Sequence, residues 1–294
     1  MVRRAGRLMG FQSGCDTHST FPLKHLMRDA TAIRPSNPPP TPSPSRIIRA
    51  YKRGWPRRAV LALMRYKLRT GMHRIYGQGF PRLRDEMAAR PQPGVLMMAN
   101  HSSWWDFFMA AFTFETLGLD GYGMTEHSNL RKFGFFRRIG AYSVDRTDPI
   151  SVREAIDYTS ELLGQPRTAV FFFPQGKIVC NDVRPLEFQG GLRLILQKVG
   201  RLRVVPTAFR YDFWQDERPE AFVRLGEVVE VDRAQRATVL DDLRDRLTAE
   251  LDMLKVDTLT QDPSRFELLL QGGESVHDWW DRTRRRYLAG WNPG

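Results

Sequence analysis

The chain has 294 residues, enough for one large α/β domain or two small ones with a substantial core. Its formal charge of +12 lies in the first third, because residues 1–90 carry 19 Lys and Arg against 4 Asp and Glu, whereas residues 91–294 carry 26 against 29. Two cysteines, Cys15 and Cys180, make no disulfide framework, and no apolar run approaches the roughly 20 residues that span a bilayer.

The N-terminal third predicts two basic regions. Residues 1–45 have no periodic pattern and end in RPSNPPPTPSPS, which predicts a disordered or extended basic arm. Region 46–78 contains PRRAVLALMRYKLRTGMHRIY, from Pro56 to Tyr76, in which apolar residues follow a helical stripe among Arg and Lys. This pattern predicts a basic amphipathic helix. The helix either lies on an anionic lipid surface or packs on the core with a solvated basic face.

From residue 79 to 232, short apolar runs alternate with segments of helical length. The runs predict strands at 94–100, 140–146, 168–174, 202–210 and 222–231. The intervening segments predict helices at 102–118, 148–164 and 191–200, the second opened by Asp148 as N-cap and Pro149 at the first helical position. This alternation predicts an α/β layered domain, followed by a charged helical region over 233–294 that packs on it.

The segment Asn100-His101-Ser102-Ser103-Trp104-Trp105-Asp106 lies where a predicted strand passes into a helix. Ligands of α/β folds bind at the carboxyl ends of strands. A histidine takes a proton from a hydroxyl when a partner fixes its tautomer, and a carboxylate five residues on can reach back to the ring. His101 and Asp106 are thus candidates for a general base and its orienting partner. The alternative is a surface histidine beside an unrelated helix carboxylate.

A second segment, Phe173-Pro174-Gln175-Gly176-Lys177, ends the strand predicted at 168–174. A glycine at a strand end exposes backbone N–H groups that bind a phosphate or an oxyanion. A P-loop is excluded, because Phe171 stands where its first glycine would be and Ile178 replaces its hydroxyl residue. A plain turn at the strand end is the alternative.

A third segment places Arg146 at the end of GAYSVDR. An arginine there either binds a phosphate through two hydrogen bonds or pairs with Asp145 or Asp148.

Four segments, taken in order, resemble the blocks that characterise the glycerolipid acyltransferases, which include the lysophosphatidic acid acyltransferases. They are NHSSWWD (100–106), GFFRRIGAYSVDR (134–146), FPQGK (173–177) and VVPTAF (204–209). The resemblance covers roughly residues 75–230. It implies a mixed central sheet flanked by helices, and transfer of a fatty acyl group to a lipid hydroxyl.

The resemblance also implies residue roles and partners. His101 is the general base and Asp106 its orienting partner, while Arg146, Gln175, Gly176 and Lys177 bind substrate. The acyl donor is acyl-CoA or acyl carrier protein, and no metal or other cofactor is expected. The protein is expected to lie peripherally on the inner, cytoplasmic face of a membrane, with the lipid surface as its partner and no obligate protein partner.

The third block departs from the family pattern, in which Phe-Pro-Glu-Gly-Thr-Arg is usual. Gln175 replaces the glutamate, and Lys177 and Ile178 replace the threonine and the arginine. A lysine supplies a point charge without the planar fork of arginine. The acceptor is therefore either a lysophospholipid-like molecule or a lipid without phosphate, such as a carotenoid glycoside.

Two alternatives come from other classes of protein. The basic N-terminal arm would suit a nucleic-acid-binding protein, although the positive charge is not spread over a fold and no nucleic-acid module is recognisable, so no nucleic acid is expected. A hydrolase is also conceivable, since His101 can activate water. However, the chain has no Gly-x-Ser-x-Gly elbow and no His-Glu-x-x-His motif.

Overall fold

The computed structural model describes residues 45–88, 93–232, 239–273 and 276–290. The arm predicted over 1–45 lies outside them except for Ser45. The helices are α1 (Trp55–Gly71), α2 (Phe80–Ala88), α3 (Asp106–Leu117), α4 (His127–Lys132), α5 (Pro149–Leu163), α6 (Gly191–Lys198), α7 (Val239–Leu259) and α8 (Val276–Gly290). The strands are β1 (Arg74–Gln78), β2 (Val95–Ala99), β3 (Asp120–Glu126), β4 (Ala141–Val144), β5 (Thr168–Phe172), β6 (Arg201–Asp212), β7 (Glu220–Leu225), β8 (Val229–Asp232) and β9 (Glu267–Gln271). Short 3₁₀ helices cover Gly134–Ile139 and Pro263–Arg265.

The strands form one nine-stranded mixed sheet in the order β4-β3-β5-β2-β6-β7-β1-β9, and β8 also pairs with β6. Strands β4, β3, β5, β2 and β6 are parallel, whereas β7 and β8 run antiparallel to β6. The predicted fold class, a mixed sheet flanked by helices, is confirmed.

The core lies on both faces of this sheet, as expected for central parallel strands. All five residues of β2 are buried. Its odd-numbered residues pack with α1, α2 and α3, and its even-numbered residues with α5, α6 and α7. The near-continuous apolar run that predicted β2 reflects this burial on two faces.

The local signals around α5 are confirmed. Asp148 is the N-cap and its Oδ1 accepts a hydrogen bond from the Ile150 N–H at 3.0 Å, while Pro149 occupies the first turn. The carboxylate satisfies one backbone donor that has no partner within the helix.

Two predicted elements are wrong in their extent. The strand predicted over 222–231 is two strands, interrupted at Gly226, whose N–H donates to the Pro206 carbonyl at 2.8 Å. The helix predicted through Tyr76 ends at Gly71, and Arg74–Gln78 forms β1 in parallel register with β7. Here tertiary pairing overrides a helical pattern, and Ile75 and Tyr76 are buried in the sheet instead.

The sheet extends beyond the predicted catalytic limits of 79–232. Strand β1 and the edge strand β9 come from the flanking regions and pair antiparallel with each other. Among the described residues, no helix combines the length and the apolar character needed to cross a bilayer.

Candidate active site

The parallel strands bring distant segments to one edge of the sheet. His101 follows β2, Arg146 follows β4 and Gln175 follows β5, while Glu126 ends β3 and Tyr211 lies near the end of β6. Because these five strands run in the same direction, their carboxyl ends share this edge. The predicted site residues are thus brought together by topology.

His101 and Asp106 form a hydrogen-bonded pair, with 2.8 Å between His101 Nδ1 and Asp106 Oδ2. An ionised carboxylate only accepts hydrogen bonds, so Nδ1 carries the proton, and in the neutral ring Nε2 is then the acceptor nitrogen. The His101 side chain is a quarter exposed, whereas that of Asp106 is fully buried. This is the arrangement of a histidine base with a carboxylate that sets its tautomer.

Four donors converge on the Asp106 carboxylate at the start of α3. Besides His101, the backbone N–H groups of Ser102 and Ser103 donate to Oδ2 at 2.7 and 2.9 Å, and the Tyr211 hydroxyl donates to Oδ1 at 2.7 Å. The Tyr211 hydroxyl is buried beside the charge of Asp106, and both effects raise the pKa of Tyr211 well above its ordinary value. A buried carboxylate with this many donors is satisfied and fixed in orientation.

The backbone of His101 is held by its neighbours. Gln175 Oε1 accepts a hydrogen bond from the His101 N–H at 2.8 Å, and the His101 carbonyl accepts from the Val179 N–H at 2.8 Å. The amide of Asn100 spans to β6, accepting from the Phe209 N–H at 2.7 Å and donating to the Phe209 carbonyl at 3.0 Å. These bonds tie the loop after β2 to the strands on both sides of it.

The His101 ring is also packed against an aromatic residue. It stacks on Phe173 with 4.6 Å between ring centroids and 25° between planes. Phe173 belongs to the same segment as Gln175, so one loop fixes both the backbone and the ring of His101.

Arg146 joins two neighbouring strand ends. Its Nε donates to Glu126 Oε2 at 2.9 Å and its Nη1 donates to the Gly176 carbonyl at 3.2 Å. Gly176 has φ +63°, and a Cβ there would lie 3.3 Å from Arg146 Nη1. The backbone conformation therefore favours glycine, and a Cβ would also crowd Gln189 Cγ at 3.1 Å and the guanidinium. Neither of the predicted carboxylate partners, Asp145 or Asp148, is the one found.

Lys177 extends from the same turn and is largely exposed. Its Nζ lies 3.7 Å from Glu187 Oε2, and both side chains are mostly in solvent. Exposed pairs of this kind contribute little to stability, so the lysine is available to a ligand.

The segment that carries this geometry matches a known family. Residues 81–210 match the family model described as Acyltransferase. The chain carries an acyltransferase domain. The resemblance to glycerolipid acyltransferases is thereby confirmed, and the domain supports a general acyltransferase activity. A comparison with curated proteins gave no match.

A cavity of about 580 Å³ opens at His101 in this acyltransferase domain. Charged side chains, those of Glu126, Arg146 and Lys177, line it beside the histidine. The rest of the lining includes apolar residues from β4, β5, α5 and α6, among them Val144, Phe172, Val152, Ile156 and Leu194. A groove of about 400 Å³ between α5 and α6 continues from it and shares Val152, Ile156 and Leu194.

Several residues of the site were not predicted from the sequence. Tyr211 lies 105 residues from Asp106 and carries no motif, although strand periodicity places it on the same face as Phe209. Glu126 ends a strand that its sequence does not predict, because DGYGMTE has two glycines and an aspartate, which are depleted in strands. The sequence marks Asn100 only as the first residue of its block.

Proposed function

We propose that this acyltransferase moves a fatty acyl group from a thioester, acyl-CoA or acyl carrier protein, to the hydroxyl of a lipid, with His101 as general base. The observation that supports it is the His101–Asp106 hydrogen bond beside a cavity that is lined by both charged and apolar side chains. A polar acceptor and a long apolar chain require a site with both kinds of lining.

The reaction follows from this pair. His101 Nε2 takes the proton of the acceptor hydroxyl as its oxygen attacks the thioester carbonyl carbon. Asp106 stabilises the imidazolium that forms. The carbon–sulfur bond then breaks, and the leaving thiolate takes the proton back from His101. Atoms and charge balance within one transfer, and the proposal includes no cofactor beyond the acyl donor.

The apolar residues that the cavity and the groove share suit the acyl chain. Val152, Ile156 and Leu194 line both, so a chain that enters at His101 can continue between α5 and α6. Burial of apolar surface contributes roughly 0.8 kcal/mol for each methylene, which would favour long chains.

The acceptor is proposed to be a lysophospholipid-like molecule whose head group contacts Arg146, Gly176 and Lys177, with Gln175 supporting the turn. One observation favours the second candidate, a lipid without phosphate such as a carotenoid glycoside. The Arg146 guanidinium already contacts the Glu126 carboxylate and the Gly176 carbonyl, and a phosphate would have to compete with Glu126. A sugar hydroxyl could instead donate to Glu126.

The lipid is proposed to come from an anionic membrane surface on the cytoplasmic side. Helix α1 packs against the 3₁₀ segment Gly134–Ile139. Together, residues 55–71 and 127–139 contain nine Arg and Lys and no Asp or Glu. Trp55, Tyr66, Trp104 and Phe135 are exposed on or beside these segments. Cations with exposed aromatic rings suit the interface of an anionic bilayer.

The test is acyl transfer by the purified full-length chain, using labelled acyl-CoA and a panel of lipid acceptors that includes lysophosphatidate. Release of CoA with and without acceptor separates transfer from hydrolysis. His101→Ala is expected to abolish transfer while the chain stays folded. His127→Ala, which also removes an imidazole near this edge of the sheet, serves as the control. Near-normal turnover by His101→Ala would rule out the mechanism.

Asp106→Asn tests the partner of the base. Four donors face the carboxylate, and an amide offers only one acceptor oxygen, so at least one donor loses its bond. A loss of kcat on the order of 10⁴ is expected, as for the equivalent change in serine protease triads.

A further inference from the structure

The hydrogen bond from Tyr211 to Asp106 joins the base pair to β6. The tyrosine hydroxyl donates to Oδ1 at 2.7 Å, while Oδ2 accepts from His101 and from two backbone N–H groups. Each oxygen of the carboxylate is therefore held from a different side. The bonds to Oδ2 are local to the loop, whereas the bond to Oδ1 comes from another strand.

We propose that Tyr211 is a positioning residue of the acyl-transfer site, which fixes the Asp106 carboxylate and through it the ring of His101. This inference rests on the proposed role of His101 as base. Tyr211, Asp106 and His101 then form a hydrogen-bonded series, called the relay below, in which each side chain orients the next and only His101 contacts the substrate.

The support for Tyr211 is rigid. Two residues earlier on β6, Phe209 exchanges hydrogen bonds at 2.7 and 3.0 Å with the Asn100 side chain, which adjoins His101. Strand β6 also pairs with β2 through Ala99 and Thr207. Tyr211 and His101 are therefore attached to the same braced part of the sheet, and an outer hydrogen bond placed on such a frame orients the groups it contacts.

Tyr211 stays protonated, as a residue that always donates a hydrogen bond to Asp106 must. Burial and the Asp106 charge hold the pKa of the phenol well above its ordinary value, so the hydroxyl keeps its proton throughout the pH range of an enzyme assay. The charged groups that line the cavity with His101 are Glu126, Arg146 and Lys177, from three other strand ends. A substitution at Tyr211 leaves them in place.

Tyr211→Phe tests the proposal, with Tyr142→Phe as the matched control. Tyr142 is also buried in the sheet, and its hydroxyl bonds to Thr159 at 2.7 Å, away from the base pair. For Tyr211→Phe, kcat is expected to fall about tenfold, while KM for the acyl donor stays within about twofold. Tyr142→Phe should keep both constants, even where it lowers the melting temperature.

The pH profile provides a readout that a purely structural role would not move. Without the hydroxyl, the Asp106 charge is no longer shared with Tyr211 and favours a protonated His101. The acid-side limb of kcat/KM in Tyr211→Phe is therefore expected to move up by about half a pH unit. Replacement of Tyr211 by 3-fluorotyrosine, which keeps the ring and makes the hydroxyl a stronger donor, should move the limb the other way.

A measurement without turnover separates this inference from the proposed function. The proton between His101 Nδ1 and Asp106 should give a downfield ¹H resonance that is lost in His101→Ala. Opposite shifts of this resonance in Tyr211→Phe and in the fluorotyrosine variant would support the relay, even if no acyl transfer were detected. An unmoved resonance together with a wild-type pH profile would overturn it. Should Tyr211→Phe fail to fold, the fluorotyrosine variant alone decides, by the shift of its ¹H resonance and by its pH profile.

Discussion

Gln175 Oε1 accepts a hydrogen bond from the backbone N–H of His101 at 2.8 Å, and Gln175 is only 3% exposed. The family resemblance implies that Gln175, in the third block, binds substrate. Its contact is instead with the backbone of the candidate base. An acceptor oxygen is what this contact requires, and both glutamine and glutamate supply one. The departure from the family's glutamate therefore preserves the hydrogen bond while removing a charge.

Gln175→Ala is expected to lower kcat about tenfold and to destabilise the fold by about 1–3 kcal/mol, because the His101 N–H loses its acceptor in a partly buried site. Gln175→Glu keeps an acceptor oxygen and should retain more activity than the alanine variant. Steady-state kinetics and thermal unfolding of both variants provide the measurement. Equal kcat in wild type and Gln175→Ala would show that this bond does not position His101.

Leu194→Trp tests the proposed path of the acyl chain. Leu194 is 40% exposed and lines both the cavity and the groove between α5 and α6. The indole ring of a tryptophan there therefore fills the path without overpacking the core. For long-chain donors kcat/KM is expected to fall about tenfold, with little change for short ones, since each methylene excluded forfeits roughly 0.8 kcal/mol. Leu259→Trp, an exposed leucine on α7, is the control. Equal losses for short and long donors would contradict the path.

Arg146→Lys distinguishes the two classes of acceptor. Lysine keeps the charge but loses the fork that contacts Glu126 and Gly176. With a lysophospholipid acceptor, KM is expected to rise about tenfold, whereas with a sugar or alcohol acceptor it should change less than threefold. Glu126→Gln is the companion variant: it releases Arg146 from a carboxylate and should lower KM for a phosphate acceptor only. A larger rise in KM for the sugar or alcohol acceptor than for the lysophospholipid in Arg146→Lys would favour the lipid without phosphate.

Membrane binding is tested by charge reversal, because truncation of residues 1–78 would remove β1 and the buried Met64 and Leu68 of α1. Arg58→Glu combined with Lys67→Glu changes two exposed residues of α1. Cosedimentation with anionic vesicles should weaken by at least tenfold at physiological salt, since each basic residue near such a surface contributes about 1 kcal/mol.

The control reverses the same number of charges on α7, as Arg246→Glu with Lys255→Glu. If α1 reversal left vesicle binding unchanged, the lipid contact would have to be sought elsewhere, and the exposed pair Trp279 and Trp280 on α8 would be the next surface to test.

Local chemistry explains what the sequence predicted well. Asp148 and Pro149 define the start of α5 through a cap and a fixed φ, and both signals act within one turn. Strand β2 is buried on both faces and so reads as an uninterrupted apolar run. The His101–Asp106 pair needed only the end of a strand, a turn and the first residue of a helix, which follow one another from Ala99 to Asp106.

Features that depend on distant pairing were not predictable in this way. Strand β1 has a helical pattern, and only β7 and β9 on either side of it make it a strand. Tyr211 meets Asp106 because β6 lies beside β2, which no local pattern encodes. The sequence predicts that Arg146 binds a phosphate or a neighbouring aspartate. Its partner in the structure is Glu126 at the end of β3, a strand that its glycines made unpredictable.

The extent of the sheet determines which strands a truncated form of this protein would lose. A fragment limited to 81–210, the span of the family match, would end one residue before Tyr211 and would discard β1, β7, β8 and β9. The long strand β6 would become a bare edge, open to pairing with another chain. The excised piece would retain His101 and Asp106 and still lack one of the four donors that hold their carboxylate. The sheet that carries the candidate site is therefore larger than the stretch by which the family is recognised, and Tyr211 lies just outside that stretch.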